Sequence, residues 1–252
     1  MARQRRRSRR SSRGRFSFLY RLLTFVVICG AIVAALALFF KVETIQVEGT
    51  ERYTAEDVIA ASGVSVGDNL FLMDKYEVAA RIHDALNYVE TVRISRSLPS
   101  TLRITVAECR STVAVEQEDL AWLISGSGKI VDTLTIDMAK DYARVTGLTL
   151  DHPQLGKTIQ ADKDNDRACR TLLELLERLY SKNMLADVQA IHLEDASRIT
   201  VRYLDRFNVV IPWDADMDYK LNYLLAVVEK LEDNERGTIN MTQDRKVNFI
   251  PE

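Results

Sequence analysis

Cysteine and histidine are scarce in this chain, with three of each among 252 residues. Cys29 lies inside an apolar run, and Cys109 and Cys169 are far apart; they can pair in an oxidising compartment, but their spacing forms neither a disulfide framework nor a metal knuckle. His83, read on the polar side of a helix, His152 in a proline turn and His192 in a strand have no second ligand at metal spacing. No serine stands in a nucleophile elbow. Ile124-Ser-Gly-Ser-Gly128 is glycine-rich but lacks the Lys-Ser/Thr of a phosphate loop, so it reads as a hairpin turn. Asp162-Lys-Asp-Asn-Asp166 lacks the glycine and distal glutamate of a calcium loop, and reads as the acidic start of a helix; the Glu116/Glu118 pair has no chemical setting either. The chain therefore presents no catalytic, cofactor-binding or metal-binding residue and no small-molecule substrate site, and the expectation is a protein that is not an enzyme.

Acidic residues are missing from residues 1–21, where nine arginines stand, so the rest of the chain holds 25 basic residues against 36 acidic ones. Charge is also absent from Leu22 to Phe40, a run of 19 residues dominated by Leu, Val, Ile, Ala and Phe. About 20 apolar residues at 1.5 Å rise cross a bilayer core of roughly 30 Å. The arginines on one flank put the N-terminus in the cytoplasm. A cleaved signal peptide is the competing reading, because Ala35-Leu36-Ala37 has the small-x-small form of a cleavage site. The apolar run continues past it through Leu38-Phe39-Phe40, longer than a signal peptide's usual apolar region. The reading is an uncleaved, single-pass, membrane-inserted anchor, its Arg-rich tail orienting the span and meeting anionic lipid rather than nucleic acid.

Beyond residue 40 the pattern changes. Ile45 and Val47 alternate with polar residues as a strand. Thr54-Ala-Glu-Asp57 is a capping-box start for a short helix that stops at Ser62-Gly63. Asp74 caps a second helix, with Val78, Ile82, Ala85, Leu86 and Val89 on one face. Strands at Val92–Ile94 and Leu102–Val106 flank a turn at Leu98-Pro99-Ser100. The order strand-helix-helix-strand-strand makes a compact unit with helices on one face of a small sheet. The second half holds a hairpin about Gly126–Gly128, strands at Ala143–Val145 and Val188–Leu193, and a hairpin about Asp205-Arg206. Helices are predicted at Asp162–Tyr180 and Asp216–Leu231, the latter with Met217, Leu221, Leu224, Leu225 and Val228 inward. Thr238–Met241 and Lys246–Ile250 close the chain as a strand pair around Gln243-Asp244-Arg245. The fold class is α+β, divided as a tail at 1–21, a span at 22–40, and domains at 41–110 and 111–252.

Strands at sheet edges leave main-chain N–H and C=O groups to be matched. The final strand, Lys246-Val-Asn-Phe-Ile250, can accept a partner peptide by β-augmentation; equally, Val247 and Phe249 can simply pack into the core.

Four stretches carry a resemblance: Val42-Glu-Thr-Ile-Gln-Val-Glu-Gly49 after the apolar run, Ser62-Gly-Val-Ser-Val-Gly-Asp-Asn-Leu-Phe71, Tyr88-Val-Glu-Thr-Val-Arg-Ile94, and Leu98-Pro-Ser-Thr-Leu-Arg-Ile-Thr-Val-Ala-Glu108. With Gly237-Thr-Ile-Asn-Met241 and Lys246–Ile250, they make the chain resemble the FtsQ/DivIB family of bacterial cell-division proteins. The resemblance implies a POTRA domain of β-α-α-β-β order followed by a mixed β domain with two long helices. It also implies a non-enzymatic divisome scaffold in the cell membrane, enriched at the division septum, with both domains extracytoplasmic. Its implied partners are FtsB/DivIC-type and FtsL-type division proteins, bound in support of septal peptidoglycan synthesis. Carried over, partner binding falls on Met241, Lys246, Val247, Asn248, Phe249 and Ile250, with Lys220 nearby. A POTRA-bearing secretion component and a membrane-tethered wall enzyme are the alternatives; the first would lead into a barrel of many strands, the second would carry a nucleophile or metal cluster.

Overall fold

Helix α1 (Arg13–Phe39) runs for 27 residues, or about 40 Å at the helical rise. Leu23, Phe25, Val27, Val33 and Leu38 on it are each more than half exposed. The computed structural model describes residues 13–109, 112–195, 197–243 and 246–252, the side chains of 13–19 and 37 excepted. Most of the basic tail, the boundary at 110–111 and the turn residues Asp244 and Arg245 fall outside it. Among the described residues no helix is long and apolar enough to cross a membrane; the run read as a span from the sequence passes through Ala37, outside the described side chains.

The chain leaves α1 directly into strand β1 (Thr44–Glu48), then α2 (Ala55–Ser62), α3 (Lys75–Ala85), β2 (Val89–Ser97) and β3 (Thr101–Glu108). β3 lies in the middle of a three-stranded sheet, parallel to β1 and antiparallel to β2. Its alternation of apolar and polar residues puts Leu102, Ile104 and Val106 on the face covered by Val58, Val78 and Ile82 of the two helices. The capping box forms as the sequence predicts: Thr54 Oγ1 accepts from the Asp57 N–H at 3.1 Å, and the Asp57 carboxylate accepts from the Thr54 N–H at 2.9 Å. Gly63 ends α2 at φ 66°, a left-handed conformation that a side chain resists. Two expectations for α3 change. The helix stops at Ala85, which is exposed, and Val89 is buried as the first residue of β2 rather than as a helical residue.

The second sheet is built from β4 (Thr112–Gln117), β5 (Leu120–Ser125), β6 (Ile130–Thr135), β7 (Ala143–Thr146), β8 (Val188–His192), β9 (Arg198–Tyr203), β10 (Phe207–Pro212), β11 (Gly237–Asn240) and β12 (Asn248–Pro251). Among the described residues it has nine strands, in the order β12-β11-β10-β9-β8-β7-β4-β5-β6. Helices α4 (Asp166–Ser181) and α5 (Met217–Val228) supply its main core. α4 buries Cys169, Leu172, Leu175, Leu176 and Leu179, whose spacing keeps one stripe on the sheet. It begins at Asp166 rather than Asp162, because Asp162–Asn165 closes a turn of its own, the Asn165 N–H donating to the Asp162 carbonyl at 2.9 Å. α5 ends three residues before Leu231. Its inward stripe is Met217, Leu221, Leu224 and Val228; Leu225 stands one position off it and is exposed. β4 has no counterpart in the sequence reading. Val113, Ala114 and Val115 are all buried, so this interior strand lacks the alternation that marks a half-buried one.

A polar joint connects the sheets. Lys129, 2 % exposed beside β6, sends its ammonium to the C-terminal end of α3, donating to the carbonyls of His83 at 2.6 Å and Leu86 at 3.4 Å. The Tyr88 hydroxyl donates to Asp132 of β6 at 2.8 Å, and its side chain packs against the cluster of Ala114, Ala121, Leu123, Val131 and Ala139.

Candidate interaction edge at the terminal strand

β12 ends the nine-stranded sheet, and among the described residues no strand lies on its outer side. It runs antiparallel to β11, with Ile250 opposite Thr238 and Asn248 opposite Asn240. The Glu252 N–H donates to the Arg236 carbonyl at 3.0 Å. Main-chain groups alternate in direction along an antiparallel pair, so Ile250 and Asn248 bond inward to β11 while the N–H and C=O of Phe249 point outward. The Phe249 side chain turns the other way from Ile250. It meets Phe207 edge-on at 6.2 Å between centroids and joins the core, whereas Ile250 is 55 % exposed.

The turn leading into β12 is held from below. Lys220, in the first turns of α5, is buried, and its ammonium donates to the carbonyls of Met241 at 2.7 Å and Gln243 at 3.2 Å. A cation satisfied by carbonyls that would otherwise be capped by water fixes the path of the chain as it leaves β11. Met241 is itself fully buried, its N–H donating to Val210 of β10 at 2.9 Å. The residues carried over by resemblance thus separate into three groups. Lys246 and Ile250 are exposed, Val247, Asn248 and Phe249 are half-buried, and Lys220 and Met241 lie beneath them. Gly237 admits β12 alongside: its φ is 152°, and a Cβ there would stand 2.2 Å from the Ile250 carbonyl oxygen.

Sequence reasoning passed over the aromatic residues beside this edge. Tyr219 and Tyr223 stack at 6.0 Å on the outer face of α5, and with Lys246 and Val247 they frame the crevice above Lys220. Their spacing of four on the polar side of an amphipathic helix is the signal that would have found them. A wider cleft of about 890 Å³ shares Tyr219 and Lys220 with this crevice and is lined also by Arg167, Trp213, Asp216 and Thr242. Trp213 Nε1 donates to the Asp195 carbonyl at 2.6 Å and Arg167 lies 5.4 Å from its ring, so the cleft wall is already internally bonded.

The histidines are not brought together. His83 is half-buried in α3, and burial followed by the nearby Lys129 charge pushes its pKa down. His152 pairs with Asp151 in an exposed loop, and His192 Nδ1 shares a hydrogen bond with Thr146 Oγ1 at 2.9 Å on β8. Among the described residues no group of His, Cys, Asp and Glu is placed to hold a metal ion. Cys169 is buried in the core, where its thiol faces the Ile159 carbonyl.

Comparison with known proteins agrees with this architecture. Residues 40–108 match the family model described as POTRA domain, FtsQ-type. Residues 114–243 match the one described as Cell division protein FtsQ/DivIB, C-terminal. The cell division protein FtsQ of Syntrophotalea carbinolica is 29 % identical over 197 residues, covering 77 % of this chain and 67 % of that protein. The cell division protein DivIB of Clostridium tetani is 22 % identical over 209 residues, covering 81 % of this chain and 77 % of that one. With a POTRA-type sheet leading into a mixed sheet whose model match spans more than half of the sequence, the chain belongs to the FtsQ/DivIB family of cell-division proteins.

Proposed function

We propose that this protein is a non-enzymatic, single-pass scaffold of the divisome. In this reading it presents domains 41–110 and 111–252 outside the cell membrane and receives an FtsB/DivIC-type segment as an added strand on β12. An FtsL-type protein joins the same assembly, which supports septum formation and septal peptidoglycan synthesis. The observation that carries the reading is the outer side of β12, on which no strand lies among the described residues and toward which the Phe249 N–H and C=O point. A peptide that pairs there gains main-chain hydrogen bonds, and Lys246, Val247, Asn248 and Ile250 select its side chains. Lys220 and Met241 act from beneath, keeping the edge in one conformation so that little order has to be imposed on binding. The anchor is supported by the uncharged run Leu22–Phe40, by the arginine bias before it, and by the exposed apolar side chains of α1.

The test is a pull-down of the detergent-solubilised full chain with the outer segment of a DivIC-type protein. Ile250→Asp is the informative variant, since the exposed Ile250 side chain tolerates a charge without unfolding the sheet. Retention falling at least tenfold is the expected result. Unchanged retention by a variant whose circular dichroism matches wild type would reject the terminal-strand site.

A further inference from the structure

The loop between α2 and α3 folds back on the exit of α1. The Val42 N–H donates to the Asp68 carbonyl at 2.7 Å, the Gly67 N–H to Val42 at 2.8 Å and the Leu70 N–H to Phe40 at 2.9 Å, with Lys41 bridged antiparallel to Asn69. Because the two segments run in opposite directions, the loop runs toward the helix as far as Leu70, where a turn closed by the Met73 N–H on the Asn69 carbonyl at 3.2 Å carries Phe71 and Leu72 at its tip. Two contacts show how far the loop reaches. Asn69 Nδ2 donates to the carbonyl of Leu36, inside the last turn of α1, at 3.0 Å, and the rings of Phe40 and Phe71 meet edge-on at 4.9 Å. The β2–β3 turn is at the same end, since the Glu43 N–H donates to Ser100 at 2.8 Å.

Large apolar side chains are exposed at this end. Leu72 is 78 % exposed, Tyr76 74 %, Leu98 57 % and Phe71 43 %. Two cations stand among them. Arg96 donates to the Met73 carbonyl at 2.9 Å with its guanidinium 5.8 Å from the Phe71 ring, and the Lys75 ammonium is 4.9 Å from the Tyr76 ring. The acids at this end are engaged within the protein: Asp68 accepts from the Ser65 N–H, Asp74 from the Tyr76 N–H and Glu43 from the Ser100 hydroxyl, and Glu77 pairs with Arg81 at 3.1 Å. Exposed aliphatic and aromatic tips with a basic collar have the chemistry of the bilayer interface, where rings sit at headgroup level and long cations reach the phosphates.

We infer that the loop carrying Phe71 and Leu72, with Tyr76 and Leu98, is a second membrane contact, docking the first domain onto the anionic leaflet that α1 leaves. The inference rests on reading α1 as a membrane span. The contacts of the loop with Leu36 and Phe40 hold the first domain against the end of α1, but one helix alone leaves helix and domain free to tilt and rotate together in the bilayer. A second contact removes that freedom and sets the height and direction at which the nine-stranded sheet, and with it β12, is presented.

The experiment uses the full chain reconstituted in phosphatidylcholine–phosphatidylglycerol vesicles with or without brominated acyl chains. Single tryptophans are introduced by Leu72→Trp, by Phe25→Trp within α1 and by Leu155→Trp on an exposed loop of the second domain, and wild type supplies the background of Trp122 and Trp213. The expected result is that brominated lipid quenches the added emission of Leu72→Trp and Phe25→Trp by about twofold or more, as for side chains at or below the headgroup boundary, and leaves Leu155→Trp unchanged. If Phe25→Trp is quenched and Leu72→Trp is not, the docking is overturned and the anchor stands. If Phe25→Trp is not quenched, the anchor reading fails and takes the docking with it. Equal quenching of Leu72→Trp and Leu155→Trp also overturns the proposal, because the contact would then not be specific to the loop.

Discussion

Lys220 shows how much one side chain can do for an edge it does not line. Its ammonium is held against the carbonyls of Met241 and Gln243, just beyond β11. Lys220→Met keeps the length and removes the donors, leaving both carbonyls without that partner. A loss of about 1–3 kcal/mol in urea denaturation is expected, together with weaker partner retention although the residue is covered. Glu108 is its counterpart in the first domain: a buried carboxylate that accepts from the N–H groups of Glu51, Arg52 and Tyr53 at 2.7–3.2 Å, pinning the turn after β1. Asp57 gives a pH signature. Hydrogen bonds from the Thr54 N–H, then its hydroxyl, hold the Asp57 carboxyl below the usual carboxylate range. A carboxylate depressed in the folded state stabilises the fold above its unfolded pKa of about 4, and that contribution disappears as pH falls through the lower, folded value. Asp57→Asn should therefore lower the denaturation midpoint at neutral pH and converge on wild type in acid. A gap between them that stays constant with pH would show that the carboxylate is not the source.

At the level of elements, the β11–β12 pair depends on Gly237. A side chain there meets the Ile250 carbonyl oxygen at 2.2 Å and must adopt φ 152°. Gly237→Ala is expected to release β12 while the interior strands stay paired: amide exchange speeds up at Asn248 and Ile250 but not at Val209 or Ile239. The helices and hairpins were legible in advance wherever the pattern is local. Thr54 and Asp57 cap α2 through their own side chains, and Gly126–Gly128 turns a hairpin whatever packs on it. β4 was not legible, since burial on both faces erases the period of two, and neither was the start of α4, where acidic residues suit a turn as well as a first helical turn. At the edge itself, the exposed Lys246 and Ile250 could be named from the sequence, but the division between exposed contacts and the buried supports Lys220 and Met241 could not. A lysine in an amphipathic helix reads as solvated until the carbonyls that receive it are folded into place.

Across the whole molecule, the joint between the sheets is the feature with mechanical consequences. Lys129 caps α3 from the other domain, and Tyr88 bonds Asp132 across the boundary. Burial first, then the hydrogen bond to Asp132, raises the Tyr88 pKa, so the hydroxyl remains a donor well into the alkaline range. Lys129→Met with Tyr88→Phe should uncouple the domains. Calorimetry would then resolve two transitions in place of a single one, each domain keeping its own core; a single shifted transition would mean that the joint does not transmit stability. By itself, the sequence determined the charge asymmetry, the apolar run, the order of elements apart from β4, and the family resemblance, because those reside in composition and in short periodicities along the chain. Only the tertiary structure decided that β12 is an edge, that its outward main-chain groups belong to Phe249, that Lys220 lies under it, and that the α2–α3 loop returns to the end of α1. Each of these depends on which strands become neighbours and which segments run antiparallel, and no local pattern encodes pairing between residues so far apart in the chain.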